Sequence, residues 1–280
     1  STDPIAFARV QAGSLDPDRA LAEGYRRNNA GAYAEAAEFF GTLQQRADTG
    51  EDRTGEYLIN EALQKSNLGL FAEADRLFAE AERIPTADRV QTRLRRNFVA
   101  LHLINQRKLD EALKELDRPV VPLSQPVLVI GGAVEIGNDV AAEINSGTAS
   151  ERLGTTEAGQ LTPEERAIIL DAQALQLRGT VYRLQGRNAD ALKALEDSLR
   201  QAESVRQGRV VSIIRLRSQI LAETGAALEA SGDPARAEAR FRDSIALLER
   251  RYPDTNVTAA ARSRLAAFLV RQGRTDDALA

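Results

Sequence analysis

Apolar residues recur along most of this chain at steps of three and four, the spacing that lines one face of an α-helix. The pattern predicts a short leading helix over 3–10, then paired helices over 18–30 and 33–47, 55–67 and 71–83, and 88–105 and 109–117. It resumes over 163–185, 188–206, 209–230, 234–251 and 256–271. The stops are local. Gly31 sits between the first two paired helices, and Pro85 cannot continue the helix before it. Thr162-Pro163-Glu164-Glu165 is the clearest start: Thr162 can cap free N–H groups, Pro163 suits the first helical position, and Glu165 completes a capping box. Asp16-Pro17 and Asp233-Pro234 read as caps of the same kind.

Between Pro119 and Gly159 this regularity fails. Val127–Gly132 is strand-like by its branched residues, but Gly131-Gly132 and the single copy argue against a sheet; Val134–Ile144 returns to helical spacing, and 145–159 has the composition of a loop. Ala112 and Ala191 lie 79 residues apart, close to two of the periods described next. A degenerate repeat in this stretch is therefore one expectation, and a boundary between two sub-arrays is the other. We divide the chain into 1–118, an irregular insert over 119–160, and 161–280.

The helix pairs share more than their period. Gly24, Gly31, Ala36 and Phe40 recur in spacing as Ala62, Gly69, Ala74 and Phe78, and as Ala100, Arg107, Ala112 and Leu116. Further copies are Gly179, Gly186, Ala191 and Leu195, then Gly225, Gly232, Ala237 and Phe241. A last one, Ala266, Gly273 and Ala278, meets the chain end. Small residues at fixed places in two successive helices suit close backbone approach, and such a hairpin must stack on neighbours to bury its apolar face. This pattern resembles the tetratricopeptide (TPR) repeat, with Gly/Ala at position eight, Gly at fifteen, Ala at twenty and an aromatic at twenty-four. The resemblance implies an all-α fold, a right-handed alpha-alpha superhelix of TPR-like helical hairpins. Trp is absent, the periods are lengthened, and most units lack the family's proline end. The order of units and the 161–179 segment also resemble the N-terminal region of bacterial proteins with a C-terminal caspase-like CHAT domain, whose chemistry would lie outside this chain.

In the resembling family the first helix of each hairpin lines a concave groove. Carried over, that places Tyr25 and Asn29 in the first unit, and Ile59, Leu63, Ser66 and Asn67 in the second. The third unit contributes Leu94, Asn97, Leu101, Ile104 and Asn105, the fourth Gln176 and Arg183. Asn29, Asn67 and Asn105 recur every 38 residues. Such amides can hydrogen-bond an extended peptide or serve the helix end locally. The implied partner is a protein or peptide in the groove, or a further C-terminal domain of the same protein.

Composition narrows the chemistry. The chain has no cysteine and one histidine, so thiol catalysis and thiolate metal sites are excluded. His102, within a helix, reads as a packed residue rather than a base. Gly131, Gly132 and Gly137 lack the Lys-Ser/Thr of a phosphate loop. No catalytic, cofactor or metal site is expected. A net charge of -4 and few aromatics disfavour nucleic acid, despite arginines clustered at 89–96 and 209–217. No apolar run is long enough to span a membrane, so a soluble protein of unassigned compartment is expected. The absence of methionine and the open last hairpin lead us to expect a longer natural chain. The alternatives are a ligand-binding or enzymatic domain using the insert, or a self-associating scaffold.

Overall fold

The computed structural model describes residues 3–86, 88–120, 162–205, 211–250, 252–253 and 255–279. Among them are thirteen helices and no strand. They are α1 Pro4–Ser14, α2 Pro17–Asn29, α3 Tyr33–Gln44, α4 Glu51–Asn67, α5 Phe71–Glu82, α6 Arg89–Asn105 and α7 Leu109–Asp117. After the insert come α8 Pro163–Leu184, α9 Asn188–Glu203, α10 Val211–Ala230, α11 Pro234–Glu249, α12 Asn256–Arg271 and α13 Thr275–Leu279. The expected strand-like segment and degenerate repeat lie outside the described residues. The chain forms two compact units, Ser1–Leu170 and Asp171–Ala280, dividing within α8.

Local chemistry starts these helices where the sequence predicts. Glu165 N donates to Thr162 Oγ1 at 3.1 Å and Thr162 N to the Glu165 carboxylate at 2.9 Å, closing the capping box. Asp233 accepts from Arg236 N at 3.1 Å, and Asp88 from Gln91 N at 3.0 Å.

Six turns between paired helices share one hydrogen-bond pattern. The residue after each turn's left-handed position donates to the carbonyl five residues earlier: Ala32 to Arg27, Leu70 to Lys65, Lys108 to Leu103, Arg187 to Tyr182, Asp233 to Leu228 and Arg274 to Leu269. This closure ends one helix and aims the next back along it. It requires positive φ, supplied by Gly31, Gly69, Gly186, Gly232 and Gly273, and in the third turn by Arg107 at φ 62°. A side chain there crowds its own carbonyl, a strain glycine avoids. Arg107→Gly is expected to raise the unfolding free energy by roughly 0.5–1 kcal/mol, relieved strain exceeding the added unfolded-state entropy. Chemical denaturation measures it.

The paired positions explain why small residues recur. A Cβ on Gly24 would stand 2.5 Å from the Phe40 ring, one on Gly179 2.5 Å from Leu195 Cγ, and one on Gly225 3.1 Å from Phe241. Position eight is small so that the bulky residue at position twenty-four can lie across it. In the other hairpins Ala62 accompanies Phe78 and Ala100 accompanies Leu116, all buried. A second recurrent contact ties the other end of the pair. Ser198 Oγ donates to the Ala172 carbonyl at 2.6 Å, and 46 residues further on Ser244 Oγ donates to the Ser218 carbonyl at 2.8 Å.

In the first unit, α1 packs on α3 through Ala8 and Ala12, joining a core with Leu21, Tyr25, Phe39 and Phe40. A second core gathers Leu58, Ile59, Leu63, Phe78 and Phe98 from α4, α5 and α6. The start of α8 joins this unit: Ala167 and Leu170 pack on Val90, with Leu94 beside them. The second unit centres on Leu228, Phe241, Phe268 and Leu269.

Candidate interaction face

The face in question is carried by the first helix of each hairpin. In the first unit these are α2, α4 and α6, and its residues divide by burial. Tyr25, Ile59 and Leu63 are buried in the core, whereas Leu94, Leu101 and Ile104 keep part of their surface in solvent. Tyr25 Oη donates to Glu56 at 3.3 Å and accepts from Asn60 Nδ2 at 3.1 Å, joining α2 to α4. Asn97 is fully buried and donates from Nδ2 to the Leu170 carbonyl at 3.0 Å, so its amide holds the start of α8. The position carried over from the family as groove-facing is here a tether inside the protein.

The asparagine row partly forms. Asn105 Nδ2 donates to Asn67 Oδ1 at 3.1 Å and to Ser66 Oγ at 2.9 Å, and Asn67 and Asn105 are exposed. The Asn29 side chain lies outside the described residues.

Behind this row sits a buried polar chain that spacing could not reveal. His102 is 2% exposed; its Nδ1 lies 2.9 Å from Ser66 Oγ and its Nε2 2.8 Å from Asp75 Oδ1. The imidazole also stacks near Phe78, with centroids 5.2 Å apart. Asn105 donates to Ser66 Oγ, and Gln106 Nε2 lies 2.7 Å from His102 Nε2, so both ring nitrogens have polar partners within the protein. Serine, histidine and aspartate thus meet, but not as a nucleophilic centre. Ser66 is 2% exposed, and the nearby N–H groups of Leu68 and Gly69 are spent on the Gln64 and Ser66 carbonyls. The expected packed histidine is what the structure contains.

In the second unit the face is polar. Gln176 donates to Thr180 at 3.0 Å, Thr180 to Glu223 at 3.1 Å, and Arg183 Nη2 to the same Glu223 oxygen at 3.0 Å. Gln176 and Arg183, both expected on the face, are brought together through Glu223, which no motif marked. Any anionic partner at Arg183 must compete with this carboxylate.

Arg95 and Arg96 of α6 are held by protein acceptors. Both Arg95 terminal nitrogens donate to the Ile84 carbonyl at 3.2 Å, and Arg96 bridges Glu82 and Glu115 at 3.2 Å. Arg118 reaches the same two carboxylates. Burial opposes ionisation of Glu82, yet the hydrogen bonds and charges of Arg96 and Arg118 outweigh it and hold its carboxyl below the usual range.

Glu61 is the reverse case. Burial pushes its carboxyl up, with Glu38 and Glu73 adding to that, against the Gln44 hydrogen bond and Lys65. A raised carboxyl favours the native state only where it is protonated. Its ionisation therefore costs stability as pH rises from the unfolded value through the native one. Glu61→Gln, which keeps an acceptor for Gln44, is expected to raise Tm at pH 7 by about 1–2 °C. Below the unfolded carboxyl range the gain should vanish; thermal unfolding at both pH values tests this.

Among the described residues no group of three or more His, Cys, Asp or Glu could hold a metal ion, and no helix is long and apolar enough to cross a membrane. These residues define an all-helical protein rich in helical hairpins, an arrangement compatible with a helical repeat. No protein-family model matches the chain, and no curated protein is significantly similar to it.

Proposed function

We propose that this chain is a TPR-like array, coiled as a right-handed superhelix, that acts as a non-catalytic protein–protein interaction module. One observation carries the reading: Leu101 and Ile104 stay partly exposed on α6 within about one turn of Asn105, which is hydrogen-bonded to Asn67, and Leu94 stays partly exposed further along the same helix. Apolar side chains flanked by amides suit an extended peptide, whose side chains seek the former and whose backbone pairs with the latter. The protein-held Arg95 and Arg96 of α6 and the net charge of -4 favour protein over nucleic acid as partner. The CHAT-like resemblance adds that the module would recruit or position substrate for a caspase-like domain of the same protein.

Selection from a displayed random-peptide library against the immobilised chain tests this. Enriched peptides should lose binding to Leu101→Glu, with circular dichroism as the control for folding because Leu101 also packs against the core of the first unit. Peptides that bind that variant and the parent equally would remove α6 from the interface.

A further inference from the structure

The third hairpin turn breaks the rule of the other five. Arg107 occupies the left-handed position that glycine holds elsewhere, so this turn carries a strained backbone and a cation together. Arg107 and its neighbour Lys108 are exposed and enter no ion pair among the described residues. That sets them apart from Arg95, Arg96 and Arg118, which are paired or hydrogen-bonded within the protein. The turn before it is unusual in a complementary way. Leu68 and Leu70, on either side of Gly69, are 42% and 41% exposed, among the most exposed large apolar residues described. The two turns are neighbours, because Asn105 at the end of α6 donates to Asn67 at the end of α4 at 3.1 Å.

We propose that these adjacent turns form a docking surface for an acidic, apolar peptide segment of a partner protein. The carboxylates of that segment would pair with Arg107 and Lys108, and its leucine- or phenylalanine-type side chains would cover Leu68 and Leu70. Neither half suffices alone. Exposed ion pairs add little affinity, and two leucines bury little area, whereas a segment alternating acid and apolar residues engages both. A membrane surface is the weaker occupant, since stable electrostatic attachment to anionic lipid takes a larger basic cluster than two side chains. The surface lies at the turn edge and involves none of Leu94, Leu101 or Ile104; it shares with the groove reading only the Asn67–Asn105 contact that sets the two turns side by side.

The decisive variant is Arg107→Gly with Lys108→Gln, because it removes both charges while relieving the strained turn, so lost binding cannot be ascribed to unfolding. The probe is a fluorescein-labelled synthetic peptide of repeated Glu-Leu-Asp-Phe units, titrated by anisotropy with the whole 280-residue chain. Saturable binding is expected, weakened about tenfold by the double variant and by Leu68→Ser with Leu70→Ser, and weakened further by salt. Leu101→Glu should leave this binding unchanged. The same peptide with lysine in place of its acids should not bind. Absent saturation, equal affinity for the double variant, or binding to phosphatidylserine vesicles in place of the peptide would each overturn the proposal.

Discussion

Replacing Arg27 with methionine is expected to lower the unfolding free energy by about 3 kcal/mol. Arg27 is the largest of the fully buried side chains among the described residues, and it joins three helices. Its guanidinium donates to Glu23 on its own helix and to Gln11 of α1 at 2.6 Å, lies 3.7 Å from Glu35 of α3, and covers the Phe39 ring at 4.7 Å. Burial pulls its pKa below the ordinary arginine value, opposed by the charges of Glu23 and Glu35. Methionine fills much of the volume but leaves the Glu23 carboxylate with Arg26 alone and the Gln11 oxygen without its donor. Adding Glu23→Gln should recover part of the loss, because a nearly buried carboxylate left with only one of its two arginines, and not the missing hydrophobic contact, dominates it. Lysine should rescue poorly, since one ammonium cannot reproduce the fork that spans Gln11 and Glu23. Urea denaturation followed by circular dichroism distinguishes these cases. A loss below about 1 kcal/mol for Arg27→Met would mean that the cluster contributes no more than an exposed pair.

The second large effect is expected at Gly179→Val, about 3 kcal/mol of destabilisation. The new Cβ would lie 2.5 Å from Leu195 Cγ, the branch point of a fully buried side chain that cannot swing aside as a chain tip does. Helix propensity acts the other way, since valine is better than glycine in a helix interior by a few tenths of a kcal/mol. Overpacking prevails because the helices of the pair must part. Leu195→Ala alone opens a cavity and should cost about 2–5 kcal/mol. Combined, the two should cost less than their sum, with a coupling of roughly 1–3 kcal/mol as the valine fills the vacated space. Strict additivity in denaturation midpoints would show that α8 and α9 do not meet at this point.

These two cases differ in how far the sequence discloses them. Gly179 and Leu195 stand at spacings repeated in Gly24 and Phe40 and in Gly225 and Phe241, so a contact between the two positions is legible from recurrence alone. Arg27 carries no such mark. It lies in the last turn of α2, an ordinary place for an exposed basic residue, and only the approach of α1 and α3 buries it.

The candidate face shows the same division. The 38-residue recurrence of Asn67 and Asn105 foretells neighbouring amides, and their hydrogen bond is present. Asn97 and His102 are about two turns and one turn from that end of the same helix, yet their partners, Leu170, Ser66 and Asp75, lie 73, 36 and 27 residues away. Those distances along the chain follow no repeat spacing, and nothing near either residue announces its partner.

By itself, the sequence determined the helices, their caps, the turns that reverse them and the matched small and bulky positions within each pair. These depend on interactions within a few residues or on a period that repeats, and both are written locally. Tertiary structure alone decided which polar side chains are buried and what satisfies them: Arg27 among Gln11, Glu23 and Glu35, His102 between Ser66 and Asp75, Asn97 on the Leu170 carbonyl, and Arg183 on Glu223. A buried polar group must find its complement wherever packing brings one within reach, and that placement is set by the meeting of helices far apart in the chain.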